Sequence, residues 1–200
     1  MIPSMSGREI GAELRLWASQ AESGTAIVEL GVWLGAGTEN LGLGAMDSNK
    51  NVEIHCFDRF IANDSEVKRA LLDGVILKKN QDTLPVAKKN LSRFGISIVY
   101  HKRNILSARW KNKPISLYID DVCKRTDKFQ HAIKTFSPYW IPGKTIVVLM
   151  DYYWHLRHPK EKDAQCQPEF MKKYSHCFQH IKNWQGLCCA AFLYLGGLKH

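Results

Sequence analysis

Five short β-rich runs separated by longer stretches of helical spacing restrict the fold of this chain more than any other feature. The runs are AIVELG (26–31), VEIHCFD (52–58), ISIVYH (96–101), ISLYIDD (115–121) and TIVVLMD (145–151). Between them, residues 38–45, 81–94 and 128–139 read as helices. In the second of these, Leu84, Ala87, Leu91 and Phe94 fall on one side. Strands that alternate with helices predict a parallel sheet with helices on both faces. A run such as TIVVLM, apolar and β-branched throughout, suits a strand buried on both sides. Ahead of the first strand, Ile10, Leu14 and Trp17 share a helical face, and Ser6 is placed to cap that helix.

The end of the chain breaks the alternation. HCFQHIKNW (176–184) and CCAAFLYLGG (188–197) are strand-like and are joined through Gln185, Gly186 and Leu187. So short a turn permits only an antiparallel pair. The predicted fold is therefore α/β: five parallel strands plus a C-terminal antiparallel hairpin, seven strands in all. The polar stretch 155–170, with two prolines, reads as a loop or lid after the fifth strand.

The chain has 200 residues, 45% hydrophobic and 24% charged, and no linker or internal repeat interrupts it. One domain spanning 1–200 is expected, with one continuous core. The net charge of +9 attracts anionic partners, nucleic acid among them, but the basic residues are spread along the chain and form no tract. The six cysteines (56, 123, 166, 177, 188 and 189) form no Cys-x-x-Cys pair, and buried free thiols in a reducing compartment account for them. Cys188 and Cys189 are expected on opposite faces of one strand. No signal-peptide core or bilayer-length apolar run occurs, so a cytoplasmic protein without membrane partners is expected. The oligomeric state is open, a homo-oligomer included.

In a doubly wound sheet, ligands bind beyond the carboxyl ends of the strands. Four of the five runs carry an acid at or near that end: Glu29, Asp58, Asp120 with Asp121, and Asp151. Asp residues at such turns also cap helices, which explains each separately but explains four at one edge less well. The first turn, ELGVWLGAGT (29–38), is glycine-rich and opens a helix. Its glycines match neither the dinucleotide fingerprint nor a phosphate-binding P-loop. His155 is the candidate general base, because imidazole titrates near neutrality. Tyr139, Trp140, Tyr152, Tyr153 and Trp154 are read as crowding the exit of the fifth strand, where they could wall a pocket or simply cover the sheet edge.

E-x-G-x-x-x-G after a first strand resembles the cofactor motif of class I S-adenosylmethionine-dependent methyltransferases. The fuller string VELGVWLGAGT is similar to that of the macrocin O-methyltransferase and cephalosporin hydroxylase-like group. FDRF, NLSRFG, LYIDD and PGKTIVVLMDYY follow in matching order. The resemblance implies a Rossmann-like fold and methylation of a small hydroxylated acceptor, a sugar or natural product. It implies that Glu29, Gly31, Gly35 and Thr38 line the methionine part of the cofactor. Asp58, 20 residues past Thr38, would hold the ribose and Asn104 the adenine. Asp120 would lie beside the sulfonium, and Asp120 and Asp151 would act in catalysis. The same resemblance brings in Mg2+, with Asp120, Asp121 and Asp151 as ligands. The strings here, IDD and MDY, depart from the usual IDGD and DDY, so one acid is replaced by Met150. Two alternatives stay open: a nucleic-acid methyltransferase or binder, which lacks an NPPY-like string here, and a degenerate member that binds cofactor without catalysis.

Overall fold

A computed structural model describes residues 2–4, 7–95 and 97–198. The Ser6 cap expected from the sequence lies outside them. The first helix, α1 (Arg8–Gln20), has Gly7 at its N-cap in an extended conformation. Its face of Ile10, Leu14, Trp17 and Ala18 is buried, as the spacing predicts.

The strands are β1 (Ala26–Leu30), β2 (Glu53–Asp58), β3 (Ile98–Lys102), β4 (Ile115–Asp120), β5 (Ile146–Leu149), β6 (Phe178–Trp184) and β7 (Cys189–Tyr194). They form one sheet in the order β3-β2-β1-β4-β5-β7-β6. The first five are mutually parallel. β7 pairs antiparallel with both β5 and β6. The register brings the carboxyl ends together: Leu30 lies opposite Phe57 and Asp120, Asp58 opposite Lys102, and Asp120 opposite Leu149.

Helices cover both faces. On one, α1 and α2 (Ala36–Asp47) pack Ile10, Leu14, Trp17 and Leu41 against Ile27, Ile54, Ile119 and Val148. α4 (Leu84–Leu91) joins that face through Ala87. On the other, α5 (Thr126–Phe136) buries Phe129, Ala132, Ile133 and Phe136 against Val28, Leu30, Tyr118 and Val147. The core side chains thus alternate between faces along each strand.

Three sequence expectations need correction. The polar stretch 155–170 is not one loop: it holds α6 (Trp154–Arg157), a 3-10 turn (Lys162–Gln165) and most of α7 (Cys166–Lys173). α7 buries Cys166, Gln167 and Met171, and so gains from packing what its weak periodicity does not announce. Helix α3 (Asp64–Leu72) was not expected either. It starts in a capping box, Asn63 accepting from the Glu66 N–H at 3.0 Å and the Glu66 carboxylate accepting from the Asn63 N–H at 2.6 Å. Cys188, finally, is not in a strand. It closes the hairpin turn in the left-handed region at φ 63°, and only Cys189 belongs to β7. All six thiols are free and buried. No helix among the described residues is long and apolar enough to cross a membrane.

Candidate active site

A cavity of about 420 Å³ opens above the carboxyl ends of β1, β2, β3 and β4. Its wall includes Glu29, Gly31, Trp33, Asp58, Asn104 and Asp121.

Glu29 points from β1 toward α2 and is buried. Its Oε2 accepts the Thr38 hydroxyl at 2.5 Å and lies 3.7 Å from Cys56 Sγ. Burial lifts the Glu29 carboxyl to about 7 despite these hydrogen bonds. Gly37 faces the same carboxylate, and a Cβ there would collide with Glu29 Oε1. Gly31 has φ 91°, and a Cβ on it would sit 2.9 Å from Val122 Cγ1 and 3.1 Å from the Asp121 carbonyl. The turn that carries these glycines also presents Trp33, whose Nε1 is a buried donor without a partner. A buried unpaired donor on a cavity wall suits a ligand that brings an acceptor.

Asp58 fixes the turn from the end of β2. One oxygen accepts the N–H groups of Val32 at 2.8 Å and Trp33 at 3.0 Å, and the other accepts that of Phe60 at 2.7 Å. It therefore caps no helix. A carboxylate offers about four lone-pair directions, which leaves acceptor capacity toward the cavity. Asn104 follows β3 and accepts the Leu106 N–H at 3.0 Å while lining the cavity. That bond is the turn role open to it from sequence, and its place on the wall adds a surface for a ligand.

The two acids at the end of β4 part company. Side chains alternate along a strand, so Asp120 shares the face of Tyr118 and Asp121 the face of Ile119. Asp120 is fully buried, accepts the N–H groups of Val122 at 3.2 Å and Cys123 at 3.0 Å, and does not reach the cavity wall. Burial raises it to about 6. Asp121 lines the cavity instead, beside Gly31, and burial followed by the nearby Asp151 charge holds it well above the usual carboxylate range. Of the two, Asp121 and not the expected Asp120 borders the cavity.

Asp151 follows β5, buried and off the cavity wall. Its Oδ1 lies 3.3 Å from Lys124 Nζ and its Oδ2 has no partner. His155 is also off the wall, with Nδ1 2.9 Å from the Tyr152 carbonyl oxygen. Gly35 and Thr38 sit behind the wall, Gly35 at the N-cap of α2 with φ 99°. Among the described residues no three carboxylate, thiol or imidazole groups are arranged to hold a metal. The donor set explains why: Asp120 is turned to backbone N–H groups and Asp151 is taken by a lysine, which leaves Asp121 alone. The expectation of Mg2+ is not supported by this arrangement. Tyr139 and Trp140 do not wall the cavity either. They precede β5, and Trp140 bridges to Ile115 at the opposite end of the sheet. Tyr152, Tyr153 and Trp154 do lie at the exit of β5.

The sequence matches no protein-family profile and no curated protein. Solved structures do match. The O-methyltransferase NovP superposes with a TM-score of 0.67 at 12% identity, over 97% of this chain and 83% of that one. The fold is that of the class I methyltransferases. Cofactor-bound Rv0187 from MTB gives a TM-score of 0.61 at 17% identity, covering 96% and 83% of the two chains. The SAH-bound methyltransferase PaMTH1 from Podospora anserina gives 0.58 at 10% identity, covering 96% and 80%. At these identities the likeness shows the methyltransferase fold and leaves the chemistry to the site.

Within the methyltransferase fold, the cavity wall holds several residues that the sequence did not single out, two of them instructive. Trp33 is one, and its signal was an aromatic inside a glycine turn. Lys124 is the other. It lines the cavity three residues past Asp121, and its partner Asp151 is far along the chain.

Proposed function

We propose that this protein is an S-adenosylmethionine-dependent methyltransferase acting on a hydroxyl of a small molecule, as one domain spanning residues 1–200. The observation that carries this reading is a single cavity wall that joins Glu29, the Gly31 turn, Asp58 and Asn104 at the carboxyl edge of the sheet. The neighbours named above as O-methyltransferase, cofactor-bound or SAH-bound support it.

The residues fit the cofactor. Gly31 and Gly37 let the turn pack against Val122 and the Glu29 carboxylate where a Cβ would collide, and Trp33 Nε1 offers a donor that the protein itself does not use. On this reading Glu29 and the Gly31 turn receive the methionine portion, with Thr38 holding Glu29 and Gly35 shaping the turn from behind. Asp58 accepts a ribose hydroxyl with the acceptor capacity its three backbone bonds leave free, and Asn104 borders the adenine. When bound, the cofactor supplies an activated methyl group. The protein's task is to align the acceptor oxygen with it and exclude water. Asp121 is the acid of this chain nearest that task. Asp120 acts behind it by fixing the Val122 and Cys123 backbone, and Asp151 acts through Lys124. His155 lies off the cavity wall, and its Nδ1 contact with the Tyr152 carbonyl leaves Nε2 as the nitrogen able to take a proton. Six buried free thiols agree with a cytoplasmic setting.

Calorimetry with S-adenosylhomocysteine tests the reading. Saturable one-to-one binding is expected, weakened by Asp58→Ala. A folded wild type that takes up no S-adenosylhomocysteine would overturn it.

A further inference from the structure

One lysine on the cavity wall is paired with a buried acid behind it. Lys124 lines the cavity, and its Nζ lies 3.3 Å from Asp151 Oδ1 and 4.9 Å from the centre of the Trp154 ring. The lysine side chain is 49% exposed while the Asp151 side chain is only 9% exposed, so the pair reaches from the interior to the cavity. The second Asp151 oxygen has no partner at all. Asp121, on the cavity wall, feels both the Asp151 charge and the opposing Lys124 charge. The Asp151 charge opposes ionisation of Asp121, and the ammonium, 3.3 Å from Asp151, offsets it.

We infer that Lys124 fills, in this chain, the position that a divalent cation would take beside Asp121 and Asp151, so that the site works with a resident ammonium and binds no metal. The inference rests on the methyltransferase reading only for what the cation serves. An ammonium carries one charge and three N–H donors, one of them turned to Asp151, so it can hold an acceptor hydroxyl by hydrogen bonding but cannot chelate a pair of neighbouring hydroxyls as a divalent cation would. The Trp154 ring, in cation–π contact, limits where the ammonium can go.

The test is a thermal melt with MgCl2 titrated to millimolar levels, on the wild type, Lys124→Gln and Lys124→Arg. Wild-type melting is expected to ignore magnesium. Lys124→Gln leaves Asp151 without its counter-charge and should melt lower by roughly 2–4 °C. Magnesium should then restore part of that loss saturably, because the carboxylates regain a cation. Lys124→Arg should behave as the wild type. A magnesium-dependent rise in the wild type would overturn the inference, and so would a Lys124→Gln variant that melts normally and ignores magnesium. If Lys124→Gln does not fold, the wild-type titration and calorimetry with MgCl2 alone still decide. S-adenosylhomocysteine affinity is measured on the same samples. A wild type that does not bind it sinks the methyltransferase reading while leaving the metal result to stand or fall separately.

Discussion

Thr38 donates its hydroxyl to Glu29 Oε2 at 2.5 Å, and both residues are buried. A carboxyl in that setting favours its protonated form, and burial lifts it from 4.5 to about 7. The sign follows from the raised value. The contribution of Glu29 to stability is full below its unfolded value and is lost as pH rises through about 7. A shift of that size corresponds to about 3 kcal/mol. Glu29→Gln keeps an oxygen for Thr38 and cannot ionise. The stability of the variant relative to wild type should therefore rise between about pH 5 and about pH 8. Melts at the two pH values check this, and parallel curves would contradict it.

Asp58 anchors three backbone N–H groups, those of Val32, Trp33 and Phe60. Asp58→Ala leaves all three without their acceptor and should cost roughly 2–4 kcal/mol in denaturant unfolding. The same variant should lose S-adenosylhomocysteine affinity, since the turn and the ribose contact go together. Full stability in the variant would mean that water replaces the carboxylate at no cost.

Gly31 combines φ 91° with a position 2.9 Å from Val122 Cγ1 for any added Cβ. Gly31→Ala is expected to cost roughly 1–3 kcal/mol from backbone strain. Calorimetry should find its cofactor affinity reduced more than stability alone explains, because the turn itself must move. Wild-type affinity in a folded Gly31→Ala protein would remove this turn from the binding site.

Asp151→Asn breaks the contact with Lys124 without changing shape. With one partner buried and the other half exposed, the loss should be about 1–2 kcal/mol. The sequence alone points the other way: carboxylates at the ends of neighbouring strands suggest that removing one relieves repulsion. The ion pair opposes that sign, although burial holds the Asp151 carboxyl above its ordinary range despite Lys124, and a melt of the variant without added metal distinguishes the two.

Much of this arrangement can be read in the chain before any coordinates. The alternation of β-rich and helical segments, the short turn at Gln185–Leu187 and the acids at strand ends lead to the seven-stranded sheet and to its binding edge. What escapes reading is what depends on parity and on distance along the chain. Asp120 and Asp121 are adjacent, and only the register of β4 against β1 decides which faces the cavity. Lys124 and Asp151 come from different strand exits, and nothing local links them. Tyr139 and Trp140 look like neighbours of Tyr152 because β5 is short, yet a strand separates them. Helix α3 could have been found from its capping box, since Asn63 and Glu66 stand at the required spacing. Helix α7 could not, because its burial comes from partners supplied by the sheet.

The position of β7 has a consequence for how the chain comes together. β7 lies between β5 and β6, and β6 pairs with no other described strand. During synthesis β6 therefore emerges before the one neighbour it has among the described strands. It must wait, unpaired, until Cys189–Tyr194 has been made and inserted beside β5. The β1–β4 pairing also waits, since its partners, Val28 and Tyr118 among them, stand about ninety residues apart. Contacts this distant in sequence close late and slowly. An interruption anywhere in the hairpin would leave β5 as an open apolar edge, which invites association with other chains.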